Sequence, residues 1–572
     1  MDILQRLSDL GNRYIVELGF TVGGETVPFM VLLLLGAGAF LTVRLGFVQL
    51  RHLGHGVGVA TGRYDDPNEP GDVSHFQALT TALSATVGIG NIAGVAIAIH
   101  WGGPGALFWM WVTAAVGMAT KFTEVTLAQK YRQVEPDSDP HRWEGTVSGG
   151  PMYYIERGLG PGWKWMAVLF AVLLGVTAFL TGNAIQANTV ADTMQTTFGV
   201  APWITGVITS ATVAAVIVGG IGRIGRVTGI LAPVMAGIYV TGALVILALN
   251  AGAIGPALAL IVREAFNPTA GVAGTGVGAF LVTMMWGVRR GLFSNEAGQG
   301  SAPIAHAAAK TDEPVSEGVV ALLEPFVDTI VICSMTGLVI LTTGAWNDRI
   351  PTEIALGSGD LTWIAVAPDG AQEPADAPDR VAIEDGRHVL DGPTDARVGW
   401  HDVALERLFL DPELTVPFTG AILPGDGTAV AGGGQAYAAL YGEAVESGAP
   451  LTMEAFRRGL AALGTWGHFI VVVAVLLFAI STAISWSYYG DRCAYYLFGA
   501  SAVLPYKLAF VAMHFIGAVL PLSVVWNFGD IFLAIVIVPN LIALVVLSPQ
   551  VVAETRSYFA RKPWLTQPGA RT

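Results

Sequence analysis

Two stretches of this chain set helix-loosening glycines beside polar side chains within apolar runs. The first, ALTTALSATVGIGNIAGVAIAI, places Gly88, Gly90 and Gly94 around Asn91. The second, GAFLVTMMWGVRRGLFSNEAGQGSAPIAHAA, places Gly287, Gly291, Gly298 and Gly300 among Arg289, Arg290, Asn295 and Glu296. A helix that unwinds at such a point turns N–H groups and a half-helix dipole toward a carboxylate, and carbonyl oxygens toward a cation. A third stretch, FIVVVAVLLFAISTAISWSY, carries adjacent hydroxyls at Ser481 and Thr482, with the Ala479 carbonyl just before them. Hard cations take such oxygen ligands. Each feature also has a plainer use. Glycines allow close helix packing, and a mid-helix hydroxyl commonly bonds a carbonyl one turn back. Two Gly-broken spans, first and sixth of ten consecutive ones, favour the first use: they mark an inverted-repeat transporter with a midplane site.

The elements that must position these residues are membrane helices. The 572 residues are 53% hydrophobic and 13% charged, against about 25% charged in soluble domains. Runs of about 20 apolar residues, the length that crosses a bilayer, recur eleven times. They fall near 27–47, 76–100, 105–128, 163–187, 203–222, 227–250, 273–308, 316–343, 466–488, 507–527 and 530–552. The expected fold is an all-α polytopic membrane protein of about 11 transmembrane helices: a 5+5 inverted-repeat core behind one extra N-terminal helix. Segment 254–266 is too short to cross and is expected along the membrane surface. Residues 1–26 carry six charges and no apolar core, so they read as a short lead-in rather than a signal peptide. The organisation is then a lead-in and extra helix (1–50), seven core helices (76–343), an insert (345–463), three core helices (466–552) and a tail (553–572). Cys333 and Cys493 both lie in or beside apolar runs, which implies no disulfide framework.

The insert holds 19 Asp/Glu against 7 Arg, a net of −12 out of −14 for the chain. Stretches such as DRVAIEDGRHVLDG alternate apolar and polar residues around turns, the pattern of a small β-rich element. Lys and Arg gather in alternate short loops, including Arg51, Arg63, Lys130, Arg132, Arg157, Arg223 and Arg226, and in the C-terminal tail. By the positive-inside rule the C-terminus faces the cytoplasm of a cell-membrane protein, and the insert lies outside. There its charge either draws cations to the pathway or is only a solvated acidic appendage.

Four long motifs carry a specific resemblance. GGPGALFWMWVTAAVGMATKFTEVTLAQKYR, VSGGPMYYIERGLG, RRGLFSNEAGQGSAPIAHAAAKTDEPVSEG and FAISTAISWSYYGDRCAYYLFG, in that order, resemble the alanine/glycine:cation symporter family over about 20–345 and 450–555. The chain departs from the family pattern at roughly 348–445. The resemblance implies sodium-coupled uptake of alanine or glycine by alternating access on a leucine-transporter-like fold, with Na+ as the co-transported ion and no cofactor. TVGIGN resembles the segment of that fold where an Asn and unwound carbonyls bind sodium beside the substrate carboxylate. It implies Thr86 and Asn91, joined by Thr283, for one sodium, and the Gly88 and Gly90 backbone for the carboxylate. Ser481 and Thr482 resemble the fold's second sodium pair, with the Ala479 and Val87 carbonyls as partners. Phe179, Asn183 and Gln186 on the third core helix, and Met284, Met285, Trp286 and Gly287 facing the second break, are candidates for the methyl pocket and the amine. Met and aromatic stripes at helical spacing are also ordinary core packing. Arg289, Arg290 and Glu296 are costly in a membrane unless paired or wet; a salt bridge that ties the broken helix to the inner gate is the expected role, ahead of direct capture of substrate by an arginine. Asp328 is a further buried carboxylate, for a cation or a proton.

Other classes fare worse. The ten histidines form no HExxH, and no Cys/His ligand spacing appears, so an enzyme lacks its residues. A proton-coupled or differently selective amine or amino-acid transporter on the same fold stays open, as does a receptor built on the insert. Expected partners are a small amino acid, Na+ and lipid, with no nucleic acid; the number of subunits is left open.

Overall fold

The computed structural model describes residues 18–22, 25–66, 68–134, 147–269, 277–358, 361–366, 372–389, 396–401, 403–520 and 522–565, with positions 11, 14 and 15 before them. Most of the lead-in, the start of the expected 273–308 span and the end of the tail lie outside these residues.

The chain is a stack of helices. It begins with α1 (Phe29–Arg44), α2 (Val48–Ala60), α3 (His75–Thr86), α4 (Ala93–Gly102), α5 (Ala106–Tyr131) and α6 (Pro151–Leu159). There follow α7 (Pro161–Phe198), α8 (Pro202–Ile217), α9 (Gly220–Leu249), α10 (Ala251–Phe266), α11 (Val277–Asn295), α12 (Ala302–His306) and α13 (Pro314–Thr342). After the insert come α14 (Gly448–Gly459), α15 (His468–Phe498), α16 (Val503–Val519) and α17 (Leu522–Arg561). Among the described residues six helices are long and apolar enough to cross a membrane, and eight spans result if each of two bent pairs is one. The other three expected spans fall on α5, which buries Lys121 and Glu124, on the 16-residue α8, and on α11, which carries Arg289 and Arg290.

One bent pair joins α1 to α2 at 78°, and the other joins α3 to α4 at 60°. The second matters for function. α3 starts at a capping box, in which the Ser74 side chain accepts the Gln77 N–H and Gln77 accepts the Ser74 N–H. It stops at Val87, and a single tight turn, Ile89–Asn91, separates it from α4. α7 and α13 each contain a π-helical stretch, Leu180–Ala184 and Phe326–Cys333. Such widened turns reaim side chains and often sit at functional places.

The insert folds into antiparallel sheets. A five-stranded sheet runs in the order Ala436–Tyr437, Thr428–Ala431, Gly420–Leu423, Val381–Glu384, Arg387–His388. A four-stranded sheet centres on Leu361–Val366 and Ala396–Trp400, and a three-stranded one on Ala439–Ala444 and Ile350–Ala355. Its own apolar core includes Ile354, Trp363, Val398, Leu408, Phe418 and Leu440.

Candidate functional site

The break between α3 and α4 is the centre of the buried polar structure. The Gly88 N–H donates to Asn91 Oδ1 at 2.9 Å, so the Asn91 side chain replaces a helical partner that the break removes. Asn91 Nδ2 lies within hydrogen-bond reach of Asp328 Oδ1 at 2.6 Å, the Asp328 carbonyl at 3.2 Å and Ser294 Oγ at 3.1 Å. The Ser294 and Thr329 hydroxyls each donate to Asp328 Oδ2 at 2.7 Å. The hydroxyls of Thr336 and Thr452 donate to the Asn91 and Ile92 carbonyls at 2.8 and 3.0 Å. Three elements therefore close on the six residues, 87–92, between α3 and α4: the end of α11, α13 with its π-helical part, and α14.

On the other side of α3 stands α15. Thr482 Oγ1 donates to the Ser84 carbonyl at 3.1 Å; Ser481 Oγ lies 3.3 Å from it and also donates to the Phe478 carbonyl at 2.8 Å. A Cβ placed on Gly88 would lie 2.7 Å from Thr482 Oγ1 and 3.6 Å from Gln186 Oε1. Gln186 Oε1 is buried and has no hydrogen-bond partner among the described residues. Gly88, Asn91, Gln186, Ser481 and Thr482 are thus brought into one buried neighbourhood rich in hard oxygens, while Gly90, close by in the turn, faces Phe293 and Ser294 of α11.

Other candidates are placed elsewhere. Thr86 donates within its own helix, to the Ala82 and Leu83 carbonyls. Thr283 packs against Gly102 at the far end of α4, about 16 Å of helix from Asn91, so it does not complete that cation set. Asn183 donates to the Phe510 carbonyl at 2.7 Å and meets His514 at 2.6 Å, which commits it to α16. Phe179 also faces α16, its ring 4.7 Å from that of Tyr506. Trp286 stacks on Trp101 at 5.7 Å, and Met285 is buried on the same helix. Val87 and Ala479 are buried beside the break and on α15, near the pair they were expected to serve.

The second break differs from its expected place. α11 runs unbroken through Gly287 and Gly291 and ends at Asn295. Gly287 is there for contact: a Cβ would meet the Ala106 carbonyl oxygen of α5 at 2.4 Å. The chain turns at Glu296, Gly298 and Gly300, whose φ angles are 56°, 91° and 76°. Met284, Met285 and Trp286 therefore lie two to three turns before the break rather than facing it. Glu296 itself is held by neutral donors among the described residues. It accepts from Trp486 Nε1 at 2.9 Å and from Ser301 Oγ at 2.5 Å, while Arg290 spreads over the rings of Trp286 and Phe293. Glu124 holds the turn by accepting the Gly300 N–H at 3.0 Å and Asn540 Nδ2 at 2.5 Å. Glu124 and Asn540 are each a polar residue within an apolar run, the signal by which the sequence could have singled them out.

A family model described as the sodium:alanine symporter family matches residues 18–365 and 417–570, which include both breaks and the Ser481–Thr482 helix. The chain belongs to the sodium:alanine symporter family. It is 41% identical over 535 residues to the sodium/alanine symporter AgcS of Methanococcus maripaludis, spanning 93% of this chain and 94% of that protein. Two Bacillus subtilis relatives span 93% of the chain: the putative sodium/proton-dependent alanine carrier YrbD at 31% identity and the probable sodium/glutamine symporter GlnT at 30%, covered over 90% and 88% of their lengths. This sodium:alanine symporter family member is accordingly a multi-pass membrane transporter and not an enzyme. It couples amino-acid movement to Na+, its co-transported ion, and no cofactor is indicated. The family match also narrows the foreign segment from the expected 348–445 to residues 366–416.

Proposed function

We propose that this symporter carries a small neutral amino acid, alanine or glycine, into the cell with Na+ by alternating access on a 5+5 inverted repeat. The observation that supports this most is the meeting of Gly88, Asn91, Gln186 and Thr482 at one buried helix break. The Gly90 backbone, joined by the Gly88 N–H when it leaves Asn91 Oδ1, takes the substrate carboxylate, and the free Gln186 Oε1 accepts from the ammonium. Ser481 and Thr482 turn their oxygens from the Ser84 carbonyl to share a Na+ with it and with the Ala479 and Val87 carbonyls. Asn91 and Asp328 hold a second cation: the hydrogen-bond partners of Asp328 among the described residues are neutral, so a cation there balances a buried charge. The positive-inside bias supports a cytoplasmic C-terminus and an external insert.

Proteoliposomes with an imposed Na+ gradient test the reading. Alanine or glycine is expected to accumulate, and a panel of competing amino acids ranks the substrates. A folded sample that accumulates neither, or does so without Na+, would overturn it.

A further inference from the structure

Five titratable side chains outside the proposed site form one continuous buried chain. His75 Nδ1 on α3 donates to Glu317 Oε2 on α13. Glu317 Oε1 lies 2.5 Å from His306 Nδ1, at the end of α12. His306 Nε2 lies 2.7 Å from Glu324 Oε1, and Glu324 Oε2 accepts from Lys121 Nζ of α5 at 3.0 Å. All five are almost wholly shielded from solvent.

His306 decides the proton count. A neutral imidazole offers one N–H and one lone pair. A ring with a carboxylate oxygen at each nitrogen therefore needs one proton more than a neutral imidazole and two carboxylates contain. With that proton the charges balance: Lys121 and His306 against Glu317 and Glu324, with His75 neutral and donating. Without it, a net negative charge is stranded among packed helices, where an unpaired charge is costly. The surroundings do not supply a substitute. Asp65 and Glu69 act on His75 from the loop before α3, Arg132 acts on Glu317, and Glu124 and Glu296 act on Lys121. Arg132 is already engaged by the carbonyls of Pro70, Ala307, Ala309 and Thr311.

The chain also joins the parts that must separate. It links α3, the first half of one broken span, to α12, which follows the other break, and both to α13. We infer that the His75–Glu317–His306–Glu324–Lys121 chain is a proton-binding site whose proton latches α3, α12 and α13 together at the face carrying His75. Raising the pH at that face removes the proton, weakens the latch and favours opening there.

The test uses the full chain with His306→Gln, which keeps one donor and one acceptor but cannot take the extra proton; Glu317→Gln is the second variant should the first fail to fold. The first readout does not depend on transport. Thermal stability of the wild type is expected to fall more steeply with rising pH than that of the variant, because the wild type releases a proton the variant never held. Equal slopes would overturn the site. The second readout rests on the transport reading: sodium-driven alanine uptake, with pH set separately on the two sides. Wild-type uptake is expected to change several-fold between about pH 6 and 8 on one side only, and the variant to be flat. A variant that keeps the wild-type profile, or a flat wild type, would reject the latch. Absence of uptake at every pH would reject the transport reading instead, leaving the stability slopes to decide the proton site.

Discussion

The Asn91 amide nitrogen lies 2.6 Å from a carboxylate oxygen of Asp328, tying the unwound turn of one span to the π-helical turn of another. The same side chain accepts the Gly88 N–H through its oxygen. One residue thus fixes the backbone at the break and orients a buried carboxylate whose other donors among the described residues, Ser294 and Thr329, are neutral. Movement at the break is felt at Asp328, and a charge brought to Asp328 is felt at the break.

Asn91→Ala is therefore expected to raise the Na+ concentration for half-maximal uptake by about tenfold. A hydrogen bond to a charged group contributes about 1.5–3 kcal/mol, and each 1.4 kcal/mol is about tenfold in affinity. Asp328→Asn should do at least as much. Sodium dependence that stays at the wild-type value in both would remove this pair from the cation site.

Ser481 and Thr482 make a sharper case, because both hydroxyls approach one carbonyl, that of Ser84. Replacing both with Ala removes two oxygen ligands and little volume. Sodium-driven accumulation should be abolished while the detergent-solubilised protein keeps its monodisperse elution. Normal accumulation in the double variant would take the Ser481–Thr482 cation site out of the mechanism.

The first break was legible because glycine, asparagine and an apolar run coincide at residues 88–94, a combination with few other uses in a membrane helix. The second was misplaced by about one to three turns for a physical reason. Gly287 and Gly291 lie in the same composition as Gly298 and Gly300, yet the first two serve close approach to α5 and the last two serve positive φ. Sequence shows the missing side chain in both cases and not which use it has. The partners of Asn183, Phe510 and His514, were hidden from the sequence because they are more than 300 residues away in the chain. The His75–Lys121 chain was invisible because its five members come from four separate segments.

Gly287 offers a stability test of that distinction. Gly287→Ala sets a methyl 2.4 Å from the Ala106 carbonyl oxygen, so α5 or α11 must shift. Overpacking of this kind costs about 1–3 kcal/mol. The expected result is a lower unfolding temperature with unchanged sodium dependence. A shifted sodium affinity at unchanged stability would return Gly287 to the site.

The insert carries a pH dependence of its own. His388 Nε2 accepts the Val398 N–H at 3.0 Å, which a doubly protonated ring cannot do. Burial, aided by Arg397, pushes its pKa down to about 4 from the ordinary 6.5. Between those values the unfolded insert binds more protons than the folded one, so stability rises with pH through that window. The contribution is complete above about 6.5 and is lost as pH falls toward about 4. Hydrogen exchange, corrected for its intrinsic pH dependence, should therefore quicken in Val381–Glu384 and Ala396–Trp400 on acidification, and His388→Gln should blunt the change. Equal protection across the window in the wild type would count against it.

The insert also touches the transport core. His100 Nε2 donates to the His401 carbonyl at 2.8 Å, and the Thr452 hydroxyl donates to the Ile92 carbonyl at 3.0 Å. His100 belongs to α4, the second half of the broken span, so an acidic body with a net charge of −12 sits against the helix that follows the break. Its field reaches about 8 Å at physiological ionic strength and farther in dilute buffer. Residues 351–443 can be excised and Ile350 joined to Ala444 by a short Gly/Ser bridge, because these two are direct register partners. The expected outcome is a fall in apparent Na+ affinity at low ionic strength that closes as salt is raised, the signature of a cation-concentrating field. Unchanged affinity at every ionic strength would leave the insert a solvated appendage. A loss that ignores ionic strength would reject the field and assign the effect to the contact with α4, in which case His100→Ala in the intact chain should reproduce it.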